Sequence, residues 1–247
     1  RLAGTFILSP LAMQMIRQGV AARIVLMADR GGNGFVLTRR FRRIEDLKGA
    51  GALIAVPHRF SQHHVLLWLA LKQHDVPYRD VTVISMPPRD MINALRRGEI
   101  DGFVVGEPEG YKAVTLGAGW MAARSPDIWP HHMDHVFILS AAFTARHPDW
   151  ARALVAALKK AGGFIEHHPH EAAVMGEDYT GSDAAVFERV LTDPPDWIDY
   201  SDMTPTVARL RAMAEMMVEM GLWKTMPDNL EQYVDMQLMA SNGRDDQ

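Results

Sequence analysis

Ile100-Asp101-Gly102-Phe103-Val104-Val105-Gly106-Glu107-Pro108 is the stretch on which the reading of this chain turns. It leaves a basic amphipathic segment, becomes an apolar run of strand length, and breaks at Gly-Glu-Pro. Ile100, Phe103, Val104 and Val105 suit a parallel strand covered by helices on both faces, and Gly106 and Pro108 end it where the next helix should begin. Ligands of open α/β sheets bind beyond the carboxyl ends of the strands, so this break is expected to lie on a binding edge. Taken alone it reads equally well as a plain turn. Its neighbours decide between the two.

Upstream, Leu53-Ile54-Ala55-Val56 reads as a strand ended by Pro57, and Val65, Leu66, Trp68, Leu69 and Leu71 mark a helix from Ser61 to about Gln73. Val81-Thr82-Val83-Ile84 is the next strand, closed by Pro87-Pro88. Met91, Ile92 and Leu95 then stripe a helix that Gly98 terminates. Strand and helix alternate three times with short loops, which predicts a small parallel sheet wrapped in helices. Further upstream, Phe6-Ile7-Leu8 is a strand, and Leu11, Met15 and Ile16 mark a helix that Gly19 closes. Residues 23–27 and Phe35-Val36-Leu37 are further strands, separated by an Arg30-Gly31-Gly32-Asn33-Gly34 loop without phosphate-loop or dinucleotide spacing. The polar, basic residues 38–48 read as a linker between lobes.

Downstream of the break, residues 110–116 form a helix, residues 129–135 a loop rich in Trp, Pro and His, and residues 136–139 a strand crossing back between lobes. Helices are then predicted at 148–162, 171–174, 184–191, 205–220 and 230–239. Trp150, Leu154, Val155 and Leu158 set the core face of the first, and Leu210, Met213, Met217 and Met220 that of the fourth.

At 247 residues, 48% of them hydrophobic and 23% charged, the chain can bury a substantial core, and no apolar run has the length of a membrane span. A net charge of −4 argues against a general nucleic-acid binder. The absence of cysteine excludes disulfides, thiolate catalysis and cysteine-ligated metal or iron–sulfur sites. The sixteen methionines read as adaptable core filling. The chain opens at Arg1 on a strand already under way, as though a natural amino-terminal part preceded it.

Two polar constellations point to chemistry. Ser61-Gln62-His63-His64 stands at the first turn of a helix after a strand, where unpaired amides and the helix dipole favour an anion. It should share a sheet edge with Gly106-Glu107, although a Ser61 N-cap beside two surface histidines explains the same residues. His131, His132 and His135 have a spacing that would bind a metal if helical, but Asp134 is the only nearby carboxylate. His167-His168-Pro169-His170 reads as an exposed connection. No Ser-His-Asp elbow and no carboxylate pair on facing strand ends stands out, so no catalytic residue is assigned, and no cofactor or metal is expected.

Asp46-Leu47-Lys48-Gly49, Ile54-Ala55-Val56-Pro57 with Ser61-Gln62-His63-His64, Pro87-Pro88-Arg89-Asp90-Met91, the Ile100–Pro108 stretch and Asp127-Ile128-Trp129-Pro130 follow one another in a family order across roughly residues 5–160. In this the chain resembles the periplasmic substrate-binding proteins of ABC transporters in the nitrate/sulfonate/bicarbonate (NMT1-like) group. The resemblance implies an α/β two-lobe periplasmic-binding-protein fold of type II, with parallel-rich sheets flanked by helices and a helical C-terminal part. Residues 1–41 would belong to lobe 1, 42–140 to lobe 2, and 141–247 to a helical return to lobe 1. It also implies that a first strand–helix portion of lobe 1 is missing.

In relatives of this group the ligand is lined by an Asn-Gly segment, a histidine entering the first helix of lobe two, a Gly-Glu-Pro turn, and a charged residue after a Trp-Pro loop. These fall here on Asn33 and Gly34, on His63 (or His64), on Gly106 and Glu107, and on His135. With Ser61 and Gln62 beside the histidines and Ser9 opposite, they complete the expected ligand-binding set. Phe35 stands where a glutamine commonly follows Asn-Gly. His135 replaces the lysine or glutamate that separates nitrate from bicarbonate binders, so neither ligand carries over.

The expectation is therefore a monomeric, non-enzymatic periplasmic receptor for a small polar, anionic or heteroaromatic solute, delivering it to an ABC transporter permease without nucleic-acid binding or membrane insertion. A cytosolic ligand-sensing regulator on the same fold is the alternative. A pyrimidine-synthase-like enzyme is a further one, opposed by the lack of the cysteine-rich iron motif on which that family depends.

Overall fold

The computed structural model describes residues 2–239. Its contacts divide the chain into two compact units: one takes the chain up to Arg30, Met133–His168 and the chain from Asp199 onward, and the other takes Gly31–His132 and Pro169–Ile198.

The second unit is built on a five-stranded sheet of β4 (Asn33–Leu37), β5 (Ala52–Val56), β6 (Val81–Ser85), β7 (Gly102–Gly106) and β8 (Trp120–Arg124) in the order β6-β5-β7-β4-β8. The two-residue β3 (Arg30–Gly31) precedes them in the chain. β5 runs parallel to β6 and β7, whereas β4 pairs antiparallel with β7 and β8. The three strands expected from the alternating elements to form a parallel sheet, β5, β6 and β7, are parallel, and β4 and β8 extend them antiparallel into a mixed sheet. Asn33 and Gly34, expected in a loop, open β4, and the register sets Asn33 opposite Gly106.

Both sheet faces are buried, as the apolar run in β7 requires. Val104 points with Phe35, Leu37, Ile54 and Val56 against Leu66, Leu67 and Leu71 of α2 (Gln62–Gln73). Its neighbours Phe103 and Val105 point the other way with Val36 and Ala55, against Met91 and Leu95 of α3 (Pro88–Arg96) and Ala113 of α4 (Glu109–Thr115). The two-residue period of the strand divides the core into these two layers.

Phe41, Ile44 and Leu47 are buried in the first layer, so residues 38–48, expected as a linker, are an integral part of this unit. Only every third residue there is apolar, and the charged residues between them hid that burial. The boundary expected at 41 falls instead after Arg30, because β4 is bonded on both sides inside the second sheet. Residues 169–198, expected to return to lobe 1, belong to this unit as well. They carry α8 (Pro169–Thr180) and α9 (Ala184–Thr192), with α9 packed on α4.

Gly102 shows how tightly β7 is held. A Cβ there would lie 2.6 Å from Leu37 Cδ2 and 2.7 Å from the Val36 carbonyl oxygen, which as backbone cannot swing away. Gly102→Ala is therefore expected to cost about 2–3 kcal/mol of stability. A urea titration reporting an unchanged midpoint would show that β4 and β7 are not so close.

The first unit holds a three-stranded antiparallel sheet, β1 (Gly4–Leu8), β9 (His135–Ser140) and β2 (Ala22–Met27), with β9 in the middle. β9, expected as a crossing between lobes, is therefore the centre of a sheet. The chain enters this unit at Met133 rather than after residue 140. α1 (Ser9–Arg17) begins on Ser9-Pro10 and ends in basic Arg17. After the short helices α5 (Ser125–Ile128) in the second unit and α6 (Ala141–Arg146) in this one, Val25, Leu26, Phe137 and Leu139 pack with Ala151 and Val155 of α7 (Pro148–His167). Trp150, expected on the core face of α7, is 73% exposed, because the buried stripe runs through Ala151 and Val155 and the small Ala151 side chain lets the helix approach the sheet. In α10 (Val207–Glu219) Leu210, Met213 and Met217 are buried as expected, but Met220 is only partly covered. The helix expected over 230–239 is two short 3₁₀ turns, Leu230–Tyr233 and Met236–Met239. Val234 between them bridges to Ile24.

Among the described residues, no helix is long and apolar enough to cross a membrane.

Candidate functional site

In the second unit the site is built at the end of β7. Gly106 closes the strand, and a Cβ there would meet only His63 Nε2 at 3.7 Å, Asn33 Oδ1 at 3.8 Å and the Gly32 carbonyl oxygen at 4.0 Å. The missing side chain leaves a methyl-sized space ringed by three polar atoms from three segments. His63 reaches it because Ser61 starts α2: the Ser61 hydroxyl accepts from the His64 amide at 3.1 Å, fixing the first turn on which Gln62 and His63 are carried. Both the cap and the convergence expected from the sequence are thus present in one element.

His64 is turned elsewhere. Its Nδ1 bonds the Arg59 carbonyl at 2.8 Å and its Nε2 the Tyr78 hydroxyl at 2.6 Å, and burial lowers its pKa. Of the two histidines, it is His63 that the structure brings to Gly106.

Asn33 is pinned from all sides. Its backbone amide donates to Ser125 Oγ at 3.1 Å, and its carbonyl accepts from Trp197 Nε1 at 3.2 Å. Its side-chain Nδ2 donates to the Gly31 carbonyl at 2.7 Å and lies 3.2 Å from His132 Nε2. Gly31 and Gly32 have φ of +77° and +71°, a conformation that glycine adopts freely. A Cβ on Gly31 would strike the Trp197 carbonyl oxygen at 2.3 Å. Ser125, His132 and Trp197 were not predicted as partners of Asn33. Only Ser125-Pro126-Asp127 carries a local signal, a helix start; the others depend on tertiary contacts between distant segments.

Glu107 faces away from Gly106. Its Oε2 accepts from the Tyr111 amide at 2.7 Å, and its Oε1 lies 2.7 Å from where a Cβ of Gly34 would be. Among the described residues Oε1 has no hydrogen-bond partner. Burial is the main cause that pushes the carboxyl pKa up to about 8, against the pull of the Tyr111 amide and Arg124 and with a further push from Glu109.

The first unit carries a second polar cluster. Asp29 follows β2, and Asp134 and His135 stand where β9 begins. His135 Nδ1 bonds Asp134 Oδ2 at 3.0 Å and lies 3.8 Å from Asp29 Oδ1, which also accepts from the His135 amide at 3.3 Å. Burial and the Asp134 carboxyl push Asp29 up to about 7, against the attraction of His135. Burial works against a charge on His135, but Asp134 and Asp29 outweigh it and raise its pKa to about 9. Tyr200 is raised by burial first and then by Asp29, Asp134 and Glu166.

Asp29 and Asp134 are the carboxylate pair at facing strand ends that sequence reasoning missed, since 105 residues separate them in the chain. With His135 they offer three ligand atoms within 4.8 Å of one another, a donor set able to hold a divalent cation once Nδ1 gives up its proton. His131 and His132 are not members of this group. Ser9 Oγ donates to the Met133 carbonyl at 3.1 Å and is fully buried.

Comparison with known proteins puts these features in context. Residues 1–177 match the model of the NMT1-like family. The nitrate import ATP-binding protein NrtC of Synechococcus elongatus is 35% identical over 173 residues, 64% of this chain and 26% of that protein. The chain thus spans about a quarter of the length of the curated relatives it first matches. The zinc-bound ligand binding component of an ABC-type import system from Staphylococcus aureus superposes with a TM-score of 0.87, at 23% identity over 96% of this chain and 80% of that one. The periplasmic nitrate-binding protein NrtA from Synechocystis PCC 6803 gives 0.85 at 17% identity, over 96% and 72% of the two chains. The desulfurization enzyme DSZB gives 0.70 at 14% identity, over 96% and 83%. These structural likenesses establish the α/β fold of type II periplasmic binding proteins.

Proposed function

This chain belongs to the NMT1-like family, and from that premise we propose that it is the solute-binding component of an ABC-type import system. The observation that carries the reading is the polar space at Gly106, where Asn33 Oδ1 and His63 Nε2 each come within 4 Å of one point. Buried polar atoms gathered around a gap at a strand end form a ligand site rather than a packed core. Ser61 and Gln62 support the site by shaping the α2 turn, and the dipole of that helix favours a negatively polarised group on the solute.

The solute is a small polar molecule, anionic or heteroaromatic, and the partner is a transporter permease in the membrane. The chain acts in the periplasm, as the nitrate-binding relative is described to do, and works as a monomer. We read binding rather than turnover in keeping with the ligand-binding and nitrate-binding proteins whose folds superpose on this one. Asp29, Asp134 and His135 are a second group through which a solute or a cation would be held.

One observation favours a second reading. The similarity to an ATP-binding protein covers a segment that is only a small part of that protein. A ligand-sensing domain attached to the cytosolic side of a transporter would account for this. Osmotic-shock fractionation of cells carrying the full-length protein separates the two, with release into the shock fluid expected of the receptor.

The receptor reading is tested by native mass spectrometry of the protein as purified, followed by a thermal-shift screen of inorganic anions, sulfonates, amides and pyrimidines. A bound solute at a hundred times its dissociation constant should add about 2.7 kcal/mol of stability. A flat screen with no co-purifying mass would overturn it.

A further inference from the structure

We propose that the solute carries a hydrogen-bond donor, an N–H or O–H group, that Asn33 Oδ1 receives, so that this one atom selects against fully deprotonated oxyanions. The inference deepens the receptor reading and rests on it.

A carbonyl oxygen only accepts, so the Gly31 carbonyl, 2.7 Å from the Asn33 amide, must face its NH₂ group. The amide therefore cannot be flipped without setting two oxygens against each other. His132 fixes the second amide hydrogen in the same way. Its Nδ1 lies 3.0 Å from the Trp129 carbonyl and must carry a proton there, which leaves Nε2 to accept from Asn33 Nδ2 at 3.2 Å. Both donors of the side chain are thus committed, and both backbone groups are committed to Ser125 and Trp197.

Oδ1 is what remains. It is buried, its orientation is dictated by the other contacts, and among the described residues it has no hydrogen-bond partner. Asn33 is wholly buried, so its carbonyl oxygen is not an incidental surface atom. It borders the space left by the absent Gly106 side chain, as does His63 Nε2. A buried acceptor without a donor is costly, and a structure that orients it through four other bonds keeps that cost in place until a donor arrives.

Nitrate, sulfonates and sulfate present only acceptor oxygens and would set lone pairs against Oδ1. Hydrogencarbonate, carboxamides, sulfonamides and N–H heteroaromatics present a donor beside an acceptor. They satisfy Asn33 while keeping a polarised group for the α2 turn.

Isothermal titration of two shape-matched pairs tests this: nitrate against hydrogencarbonate, and methanesulfonate against methanesulfonamide. The donor-bearing member of a pair is expected to bind on the order of tenfold more tightly or better. Asn33→Ala is expected to bring the members to within about threefold of each other. Equal or tighter binding of the donor-free members by the natural protein overturns the proposal, whatever the stability of the variant. So does a preference that survives Asn33→Ala. A co-purifying solute without any N–H or O–H overturns this inference alone and leaves the receptor reading standing. Failure of these four probes together with a flat wider screen overturns the receptor reading itself, and this inference with it.

Discussion

Gly106→Ala is expected to leave the fold standing while cutting solute affinity by roughly ten- to hundredfold, the 1–3 kcal/mol that forcing a methyl into occupied space costs. The new methyl would meet its nearest neighbours at 3.7–4.0 Å, ordinary contact distances, and Gly106 is not among the glycines with positive φ. Nothing in the protein therefore resists the substitution. What the methyl fills is the space beside Asn33 and His63. Four residues earlier on the same strand, Gly102→Ala meets backbone at 2.7 Å and damages the fold instead. Thermal denaturation and titration of both variants separate the two roles. If Gly106→Ala binds solute like the natural protein, the space is not where solute sits.

The second large effect is on stability against pH. The Glu107 carboxyl has a folded-state pKa of about 8 against an ordinary value of 4.5, so the folded protein holds a proton that the unfolded chain has released. Where the native state binds the extra proton, stability falls as pH rises. The contribution is complete below about pH 4.5 and is lost as pH rises through about 8. The slope approaches about 1.4 kcal/mol per pH unit, so the loss from pH 5 to pH 8.5 is on the order of 4 kcal/mol.

Asp29 and His135 are also raised, to about 7 and about 9, and act with the same sign. The whole protein is thus expected to be more stable at pH 5.5 than at pH 8.5. Glu107→Gln keeps an acceptor for the Tyr111 amide and carries no titrating proton. Urea midpoints across this range should flatten by the share belonging to Glu107, with the variant more stable than the natural protein at pH 8.5. Parallel profiles for the two would mean that the carboxyl is ionised in the folded state.

The fold was legible where local pattern and tertiary role agree. The β7 sequence announces a strand buried on both faces, and Ser61 announces a helix start; both are as the residues suggest. Periodicity says nothing of direction, so β4, which pairs antiparallel with β7 beside a parallel core, was indistinguishable from a parallel partner. β8, Trp120-Met121-Ala122-Ala123-Arg124, escaped altogether because it lacks the β-branched residues that mark strands. Trp150 misled for the opposite reason: a large apolar side chain drew the helical face toward itself, while Ala151, the residue that packs, looked neutral.

The candidate site divides along the same line. His63 and Gly106 stand out in the sequence because each lies at the end of a recognisable element, whereas Asn33 enters only through the family resemblance. Glu107 belongs to the same motif, yet its side chain turns inward, a choice made by the Tyr111 amide that no spacing rule contains. The bonds that orient Asn33 come from Ser125, His132 and Trp197, at 92, 99 and 164 residues' separation. Non-local partners of this kind are set by topology, and only coordinates bring them together.

The most direct measurement is a ¹H–¹⁵N correlation spectrum of the labelled protein, recorded before and after adding the solute identified by the thermal-shift screen. The Gly106 backbone amide and the Asn33 side-chain NH₂ signals are expected to move together with the His63 amide, in proportion to saturation. Saturable binding that leaves all three signals in place would contradict this expectation.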